Sequence, residues 1–180
     1  KEFGDKDFLG KEIDFYEGSN GDIWDHIDKA FIISLSGLSE NSLPRIPANV
    51  GDWMDEFTKI SQNGNAESVM LGMQLCYYLK EYASIAGIAG QTELQKKWQN
   101  QYETIKAAIN ETAWDGDWYI RAFSDRNGKR TPVGTHQNKE GKIYLNAQSW
   151  SVMGGVASGD RASKALQSVG SMMISDFGPL

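Results

Sequence analysis

The segment TELQKKWQNQYETIKAAIN, residues 92–110, decides the fold because it carries the most regular apolar spacing in the chain. Its large apolar residues recur at intervals of three and four: Leu94, Trp98, Tyr102, Ile105 and Ile109. This spacing is typical of an α-helix with one buried side. Thr92, with Gln95 three residues later, predicts a capping box at the start. The sequence therefore predicts an amphipathic helix that contributes a whole stripe to the core.

Further helices are predicted on both sides of this segment. A run with few charges predicts a deeply buried helix over about 67–86. Apolar residues at helical spacing predict another helix within 22–37, with an aspartate as N-cap and a glycine as stop. Two more are predicted, over about 146–156 and from Asp160 onwards. The sum is four or five helices in antiparallel order.

The remaining segments interrupt the helical pattern. Residues 1–21 and 39–66 have the composition of loops, and the second is long enough to suggest a functional role. Within 114–145, WDGDWYIRAF followed by DRNGK predicts a short hairpin or loop pair. No nucleotide-binding glycine motif is present. We therefore expect a mainly all-α fold, and a helical bundle, an α-solenoid and a piece of an (α/α) barrel all remain open.

Composition excludes several classes of function. The 180 residues include 18 basic and 24 acidic side chains, giving a net charge of −6, so bulk binding of nucleic acid is not expected. No unbroken apolar run reaches the roughly 18 residues of a membrane span. Cys76 sits in an apolar run and reads as a buried thiol, while His26 and His136 are too far apart to predict a metal site. The charged first residues contain no signal peptide, which is compatible with a cytoplasmic protein.

The segment GDWMDEF, residues 51–57, holds the sharpest cluster of chemistry-bearing side chains. Asp52, Asp55 and Glu56 place three carboxyl groups within five positions, with Trp53 among them. Mutual repulsion and a neighbouring ring both raise the pKa of a carboxylic acid, as a general acid requires. The commoner role of such residues in a loop is in turns and caps, and spacing alone does not separate the two roles.

Two pairs of polar residues follow the predicted hairpin. Lys139 and Glu140 lie on a polar loop, where they would bind sugar hydroxyls or an anion, or simply form a solvated turn. Asn146 and Gln148 open the next predicted helix. The free N–H groups and positive dipole end of a helix N-terminus suit an oxyanion such as phosphate, and capping is the alternative role for both residues.

Five segments of the chain also occur in a telling order: EGSNGDIWDHIDKAF, SLPRIPANVGDWMDEF, NAESVMLGMQLCYYLKEYASIA, AWDGDWYIRAFSDRNG and NKEGKIYLNAQSWSVMGGVAS. Their most specific parts are D-W-x-D followed by E-S-V, then A-W-D-G-x-W-Y-x-R-A, then N-x-Q-S-W. Together they resemble the catalytic domain of the inverting β-glucoside phosphorylases of glycoside hydrolase family 94, which include cellobiose, cellodextrin and chitobiose phosphorylases.

This resemblance implies a fold and a set of partners. It implies an (α/α)₆ barrel, of which residues 1–180 would form a partial catalytic domain, since family members are several times longer. It implies a β-linked gluco-oligosaccharide and inorganic phosphate as substrates, and no other cofactor. Members are commonly homodimers, so a homodimer is a further expectation.

The resemblance also assigns roles to particular residues. It makes Asp55, the second aspartate of D-W-x-D, the general acid. It places Trp53 and Asp52 against the donor sugar. Lys139 and Glu140 look like the counterparts of a Lys-Glu pair near the acceptor sugar.

The chain departs from the family pattern at two positions. Met54 stands where the family usually has asparagine. A phosphate-binding histidine of the disaccharide-acting branch is matched by Asn146. The asparagine at 146 favours an oligosaccharide-acting branch, with Asn146 and Gln148 as candidate phosphate ligands, whereas Met54 argues only against close identity with a known member.

The implied chemistry needs few protein groups. Phosphate is already an anionic nucleophile, so one acid, Asp55, is enough and no protein base is needed to give an α-sugar 1-phosphate with inversion. An inverting hydrolase on a related barrel would need a second carboxylate about 6.5–9.5 Å from the acid. The other competing hypothesis is a non-catalytic helical carbohydrate-binding module.

Overall fold

The computed structural model describes residues 4–5, 7–55 and 57–179. This part of the chain contains five α-helices: α1 (Ile23–Ser36), α2 (Val69–Ile88), α3 (Thr92–Thr112), α4 (Leu145–Met153) and α5 (Asp160–Met172). The mainly helical fold agrees with the sequence prediction. The helices are joined by small antiparallel sheets and long loops.

The core lies chiefly between α2 and α3, as their patterns predict. In α3, the side chains of Trp98, Ile105 and Ile109 are fully buried, and Tyr102 is nearly so. Helix α2 is buried on several sides, because its residues from Val69 to Ala86 are mostly apolar or small. Full burial of one large apolar side chain contributes about 1.5–3 kcal/mol, so the buried stripe of α3 is a substantial part of what holds the fold together.

Two predicted helix starts have different outcomes. The N-cap of α1 is confirmed: Asp22 accepts a hydrogen bond from the backbone N–H of Asp25, and the Asp25 side chain accepts one from the Asp22 N–H. The predicted capping box of α3 is wrong. Its N-cap is Gln91, with no side-chain cap, and Thr92 is already helical. The chain turns at Gly90, where φ is +81°, so the helix has its N-cap one residue before the predicted one.

The structure contains more strand than predicted. Strands β3 (Arg45–Ile46), β4 (Ala66–Ser68), β5 (Ala122–Ser124) and β6 (Thr131–Val133) form one antiparallel sheet in that order. Strands β1 (Glu12–Asp14) and β2 (Asn20–Asp22) form a second, and β7 (Ile174–Ser175) and β8 (Gly178–Pro179) a third. Only the β5–β6 hairpin lies in the segment where one was predicted. Segments predicted as loops supply β1, β3 and most of β2.

The four-stranded sheet lies next to the starts of α2 and α4, where the segments with candidate site residues are found. Strand β4 leads directly into α2, because Ser68 is both its last residue and the N-cap of the helix. The long loop after β6 leads into α4. The rings of Phe57 and Tyr144, which precede α2 and α4 in the chain, lie 6.0 Å apart. The D-W-x-D loop and the loop before α4 therefore meet in space.

Candidate active site

A buried ion pair holds the first aspartate of the D-W-x-D loop. The Arg121 guanidinium donates two hydrogen bonds to Asp52, Nη1 to Oδ2 at 2.6 Å and Nη2 to Oδ1 at 2.7 Å. Ser68 Oγ donates to Oδ2 at 2.5 Å and the Met54 N–H donates to Oδ1 at 3.0 Å. Both charged side chains are fully buried. The Asp52 carboxylate therefore has every oxygen engaged by protein groups.

The electrostatics of Asp52 follow from these contacts. Burial alone would raise the pKa of its carboxyl group. The hydrogen bonds from Arg121, Ser68 and the Met54 N–H outweigh that effect, and the pKa lies below its usual value. Asp52 is thus a charged, compensated group. Its repulsion of neighbouring carboxylates is largely cancelled by the arginine.

Backbone geometry brings the arginine to this place. Arg121 immediately precedes β5, and its N–H donates to the Val133 carbonyl at 2.8 Å. A Cβ atom at Gly134, where φ is +93°, would lie 3.0 Å from the Arg121 nitrogen. Only glycine allows both this conformation and this approach. The hairpin therefore delivers the guanidinium to the base of the D-W-x-D loop.

The two residues most important for the predicted chemistry are exposed. Trp53 leaves 69% of its surface open, and Asp55 is also exposed. Within the part of the chain that the structure describes, no side chain bonds to the Asp55 carboxylate. Glu56, the third carboxylate of the predicted cluster, lies outside the described residues. The loop therefore presents an aromatic ring and a carboxyl group on a base that is buried and fixed.

The predicted acceptor residues lie on a neighbouring segment. Lys139 and Glu140 are both exposed. The next residue, Gly141, packs against the Tyr144 hydroxyl, which would lie 2.7 Å from a Cβ atom there. Because the Tyr144 ring also packs edge-on against Phe57, it links the Lys139–Glu140 segment to the residues that follow Asp55.

The loop before Lys139 is anchored at its far end. Asn138 Oδ1 accepts hydrogen bonds from the N–H groups of Gly134, at 3.0 Å, and Thr135, at 2.7 Å. His136 stacks on Trp118 with ring centroids 3.8 Å apart, and its Nδ1 lies 2.7 Å from Asp115 Oδ2. These contacts fix the segment from which Lys139 and Glu140 project.

The candidate phosphate ligand Asn146 lies in the first turn of α4. The N-cap of this helix, Tyr144, makes no side-chain cap, so the first N–H groups lack that partner. The side-chain Oδ1 of Asn146 is buried with no hydrogen-bond partner among the described residues. A half-turn of the amide would place its NH₂ group at the same point, where it would serve an anion.

The second candidate phosphate ligand, Gln148, is fully buried and fully bonded. Its Oε1 accepts a hydrogen bond from the Tyr119 N–H at 2.9 Å. Its Nε2 donates to the carbonyl oxygens of Tyr119, at 2.8 Å, and Tyr144, at 3.1 Å. Both amide hydrogens are used, so these contacts favour a role in holding the loop before α4 and leave no donor for an anion.

The opposite face of the sheet carries a separate polar pocket of about 190 Å³. Neighbouring residues of a strand point to opposite faces, so Glu67 turns away from Ser68 and into this pocket. Its buried carboxylate accepts from Arg130 Nε at 2.7 Å, from Asn41 Nδ2 at 2.8 Å and from Ser39 Oγ. The sheet therefore separates this pocket from the Asp52–Arg121 pair.

Sequence reasoning missed Arg121, Ser68 and Phe57 as members of the site. Arg121 and Ser68 both occur in the motifs quoted above, as the arginine of Y-x-R-A and the serine of E-S-V. A basic residue beside a predicted strand was the available signal, but its partner lies 69 positions away. Among the described residues, no group of three or more histidine, cysteine, aspartate or glutamate side chains could hold a metal ion. In the same residues, no helix has the length and apolar character needed to cross a membrane.

Solved structures identify the type of fold. The chain superimposes on the crystal structure of a GH78 family rhamnosidase of Bacillus sp. GL1 with a TM-score of 0.62 and 22% identity, over 83% of this chain and 15% of that one. This similarity shows that the two chains share a fold over the matched region. The sequence profile of the catalytic domain of the glycosyl hydrolase 94 superfamily matches residues 1–180. The chain belongs to that family.

Curated relatives agree with this family. Solabiose phosphorylase of Paenibacillus borealis is 39% identical over 100% of this chain, which spans 23% of that protein. The 3-O-beta-D-glucopyranosyl-beta-D-glucuronide phosphorylase of the same organism is 30% identical over 98% of the chain. Cyclic beta-(1,2)-glucan synthase NdvB of Rhizobium meliloti is 31% identical over 83% of it. The chain thus spans about a quarter or less of the length of these relatives.

Proposed function

We propose that this chain is part of an inverting glycoside phosphorylase that cleaves β-linked gluco-oligosaccharides, disaccharides included, and releases an α-sugar 1-phosphate. Asp55 is its general acid and phosphate its nucleophile. The observation that carries the proposal is the exposed pair of Trp53 and Asp55 on a loop whose base is fixed by a buried ion pair. The phosphorylases among the relatives support the reaction class.

The proposed reaction needs one protein group, the carboxylic acid of Asp55, as the proton donor. A phosphate oxygen forms a bond to the anomeric carbon while the glycosidic C–O bond breaks on the opposite face. The departing oxygen takes the electron pair of that bond and the proton of Asp55. Attack from the opposite face converts a β-linkage into an α-phosphate, and no base is needed because phosphate is already an anion.

Substrate binding divides between the two loops. The Trp53 ring offers a flat apolar surface on which a sugar ring stacks while its hydroxyls stay available. Lys139 and Glu140, on the next segment, supply a donor and an acceptor for the hydroxyls of the acceptor sugar. The start of α4, with Asn146 beside its first N–H groups, binds phosphate because a helix N-terminus attracts anions. Homodimerisation and a cytoplasmic location stay predictions.

The proposal is tested by replacing Asp55 with asparagine in the intact protein. General acid catalysis contributes about 10²–10⁴-fold, so the Asp55→Asn variant should lose at least that part of kcat while folding normally. The assay measures sugar 1-phosphate released from β-linked glucose disaccharides with and without phosphate. Asp14→Asn, an exposed aspartate of strand β1, is the matched control and should keep wild-type turnover.

Two outcomes would contradict the proposal. Full turnover by Asp55→Asn would remove this residue from the acid role. Release of free reducing sugar at the same rate without phosphate would identify a hydrolase, which requires a second carboxylate as base.

A further inference from the structure

We propose that Arg121 is the positioning residue of the proposed acid: it fixes the loop that carries Asp55 and thereby sets the place from which the proton is delivered. The inference rests on the phosphorolysis proposed above. It also changes the expected role of Asp52, which acts through the loop and through Arg121 without touching the sugar.

The first line of evidence is that Arg121 holds the loop on both sides of Asp55. On the N-terminal side, its guanidinium forms the two-pronged ion pair with Asp52, three residues before the acid. On the C-terminal side, the same guanidinium lies over the ring of Phe57, with its central carbon 4.8 Å from the ring centroid. One buried group therefore contacts the chain two residues after Asp55 as well as three residues before it.

The second line of evidence is that burial and several contacts hold Arg121 in place. Its side chain is fully buried, its backbone N–H is bonded to Val133, and Gly134 packs against its backbone. Ser68 Oγ lies 3.3 Å from Nη1, so the N-cap of α2 adds a further contact. Because the sheet and the start of α2 hold Arg121, its contacts also restrict the loop that carries Asp55.

The third line of evidence is that Asp52 has no capacity left for a ligand. Its two oxygens accept hydrogen bonds from Arg121, Ser68 and the Met54 N–H, and its side chain has no exposed surface. A carboxylate that binds sugar hydroxyls needs open lone pairs. Asp52 is therefore the residue through which Arg121 binds the loop.

Two variants of the intact protein test this role. Arg121→Lys keeps the charge but loses the planar fork that grips both carboxylate oxygens. Asp52→Asn combined with Arg121→Met removes both charges together, so neither is left buried and unpaired. The introduced asparagine would still accept from the Met54 N–H, and the introduced methionine would still pack against Phe57. Arg126→Lys, on an exposed residue of the β5–β6 loop, is the control.

The decisive readout compares two substrates. Cleavage of a β-linked disaccharide needs a proton on the departing oxygen, whereas a dinitrophenyl β-glucoside has a leaving group that departs without one. A misplacement of about 1 Å costs roughly 100-fold in rate, so both variants should lose about that factor in kcat on the disaccharide at saturating substrate. On the aryl glucoside, per folded molecule measured by circular dichroism, they should stay close to the wild type, as Asp55→Asn should.

The outcomes separate the two proposals. Equal losses on both substrates, or wild-type kcat on the disaccharide, would overturn the positioning role while leaving Asp55 as the acid. An inactive wild type, or an Asp55→Asn variant that retains full activity, would refute the proposed phosphorolysis, and the role of Arg121 would fall with it.

Discussion

Replacing Gln148 by leucine tests whether this residue holds the fold or binds phosphate. The sequence suggested a phosphate ligand, whereas the structure buries the amide and pairs it with three backbone groups, the N–H and C=O of Tyr119 and the C=O of Tyr144. Leucine has a similar size and no polar atoms. The substitution therefore removes the hydrogen bonds without leaving a large cavity.

The expected loss of stability follows from the groups left without partners. A buried polar group that loses its partner costs about 1–3 kcal/mol, and the N–H and C=O of Tyr119 both lose theirs, so we expect a loss of about 2 kcal/mol or more in the free energy of unfolding. The Tyr119 N–H dominates this loss, because Tyr119 is itself fully buried. The folded variant should retain a KM for phosphate close to that of the wild type.

The assay is urea unfolding of the intact protein, followed by steady-state kinetics with phosphate as the varied substrate. Gln99→Leu is the control, because Gln99 is exposed on α3 and its side chain donates to Glu103 Oε1, at 3.0 Å, on the same helix face. It should change stability by less than about 0.5 kcal/mol. A Gln148→Leu variant with wild-type stability and a strongly raised KM for phosphate would refute the structural interpretation.

Two further predictions concern titration and reactivity. Burial would raise the pKa values of Asp52 and Asp125, but hydrogen bonds outweigh it and hold both values below the usual one. The charged forms of both groups therefore stabilise the fold fully above the unfolded pKa of about 3.9, and this stabilisation is lost as the pH falls through the folded values. The free energy of unfolding measured in urea should fall below about pH 4, and Asp125→Asn should make that fall shallower. An Asp125→Asn curve identical to that of the wild type would contradict this. Burial also raises the pKa of Cys76 to about 12, so the native thiol should resist iodoacetamide at pH 8 and react only after unfolding; mass spectrometry that detects alkylation of the native protein would count against it.

The helical core could be predicted from the sequence because its signal is local. Each turn of α3 repeats the same apolar spacing, and Trp98, Ile105 and Ile109 are buried as expected. Strands β3 and β4 have two and three residues. Segments this short are too short to show the alternation of apolar and polar residues that predicts a strand. They are strands because of their hydrogen bonds to neighbouring strands, which the local sequence does not reveal.

The candidate site was predictable in part for the same reason. The D-W-x-D motif is recognisable because its residues are adjacent in the sequence, and it includes the two exposed residues, Trp53 and Asp55. The partner of Asp52 is not, since the ion pair with Arg121 depends on a hairpin that returns the chain after 69 positions. Gln148 shows a different limit of the sequence, because the pattern of an amide in the first turn of a helix is the same whether the amide faces an anion or the backbone.

Tyr144 contacts residues of two different loops, so a change in one loop is transmitted to the other. Its ring contacts Phe57, next to the segment proposed to donate the proton, and its hydroxyl packs on Gly141, next to the segment proposed to bind the acceptor. Under the proposed mechanism, a redesign of acceptor preference that shifts this tyrosine would also displace Asp55. Libraries that aim at new glycosides should therefore keep position 144 constant, or randomise it jointly with position 57.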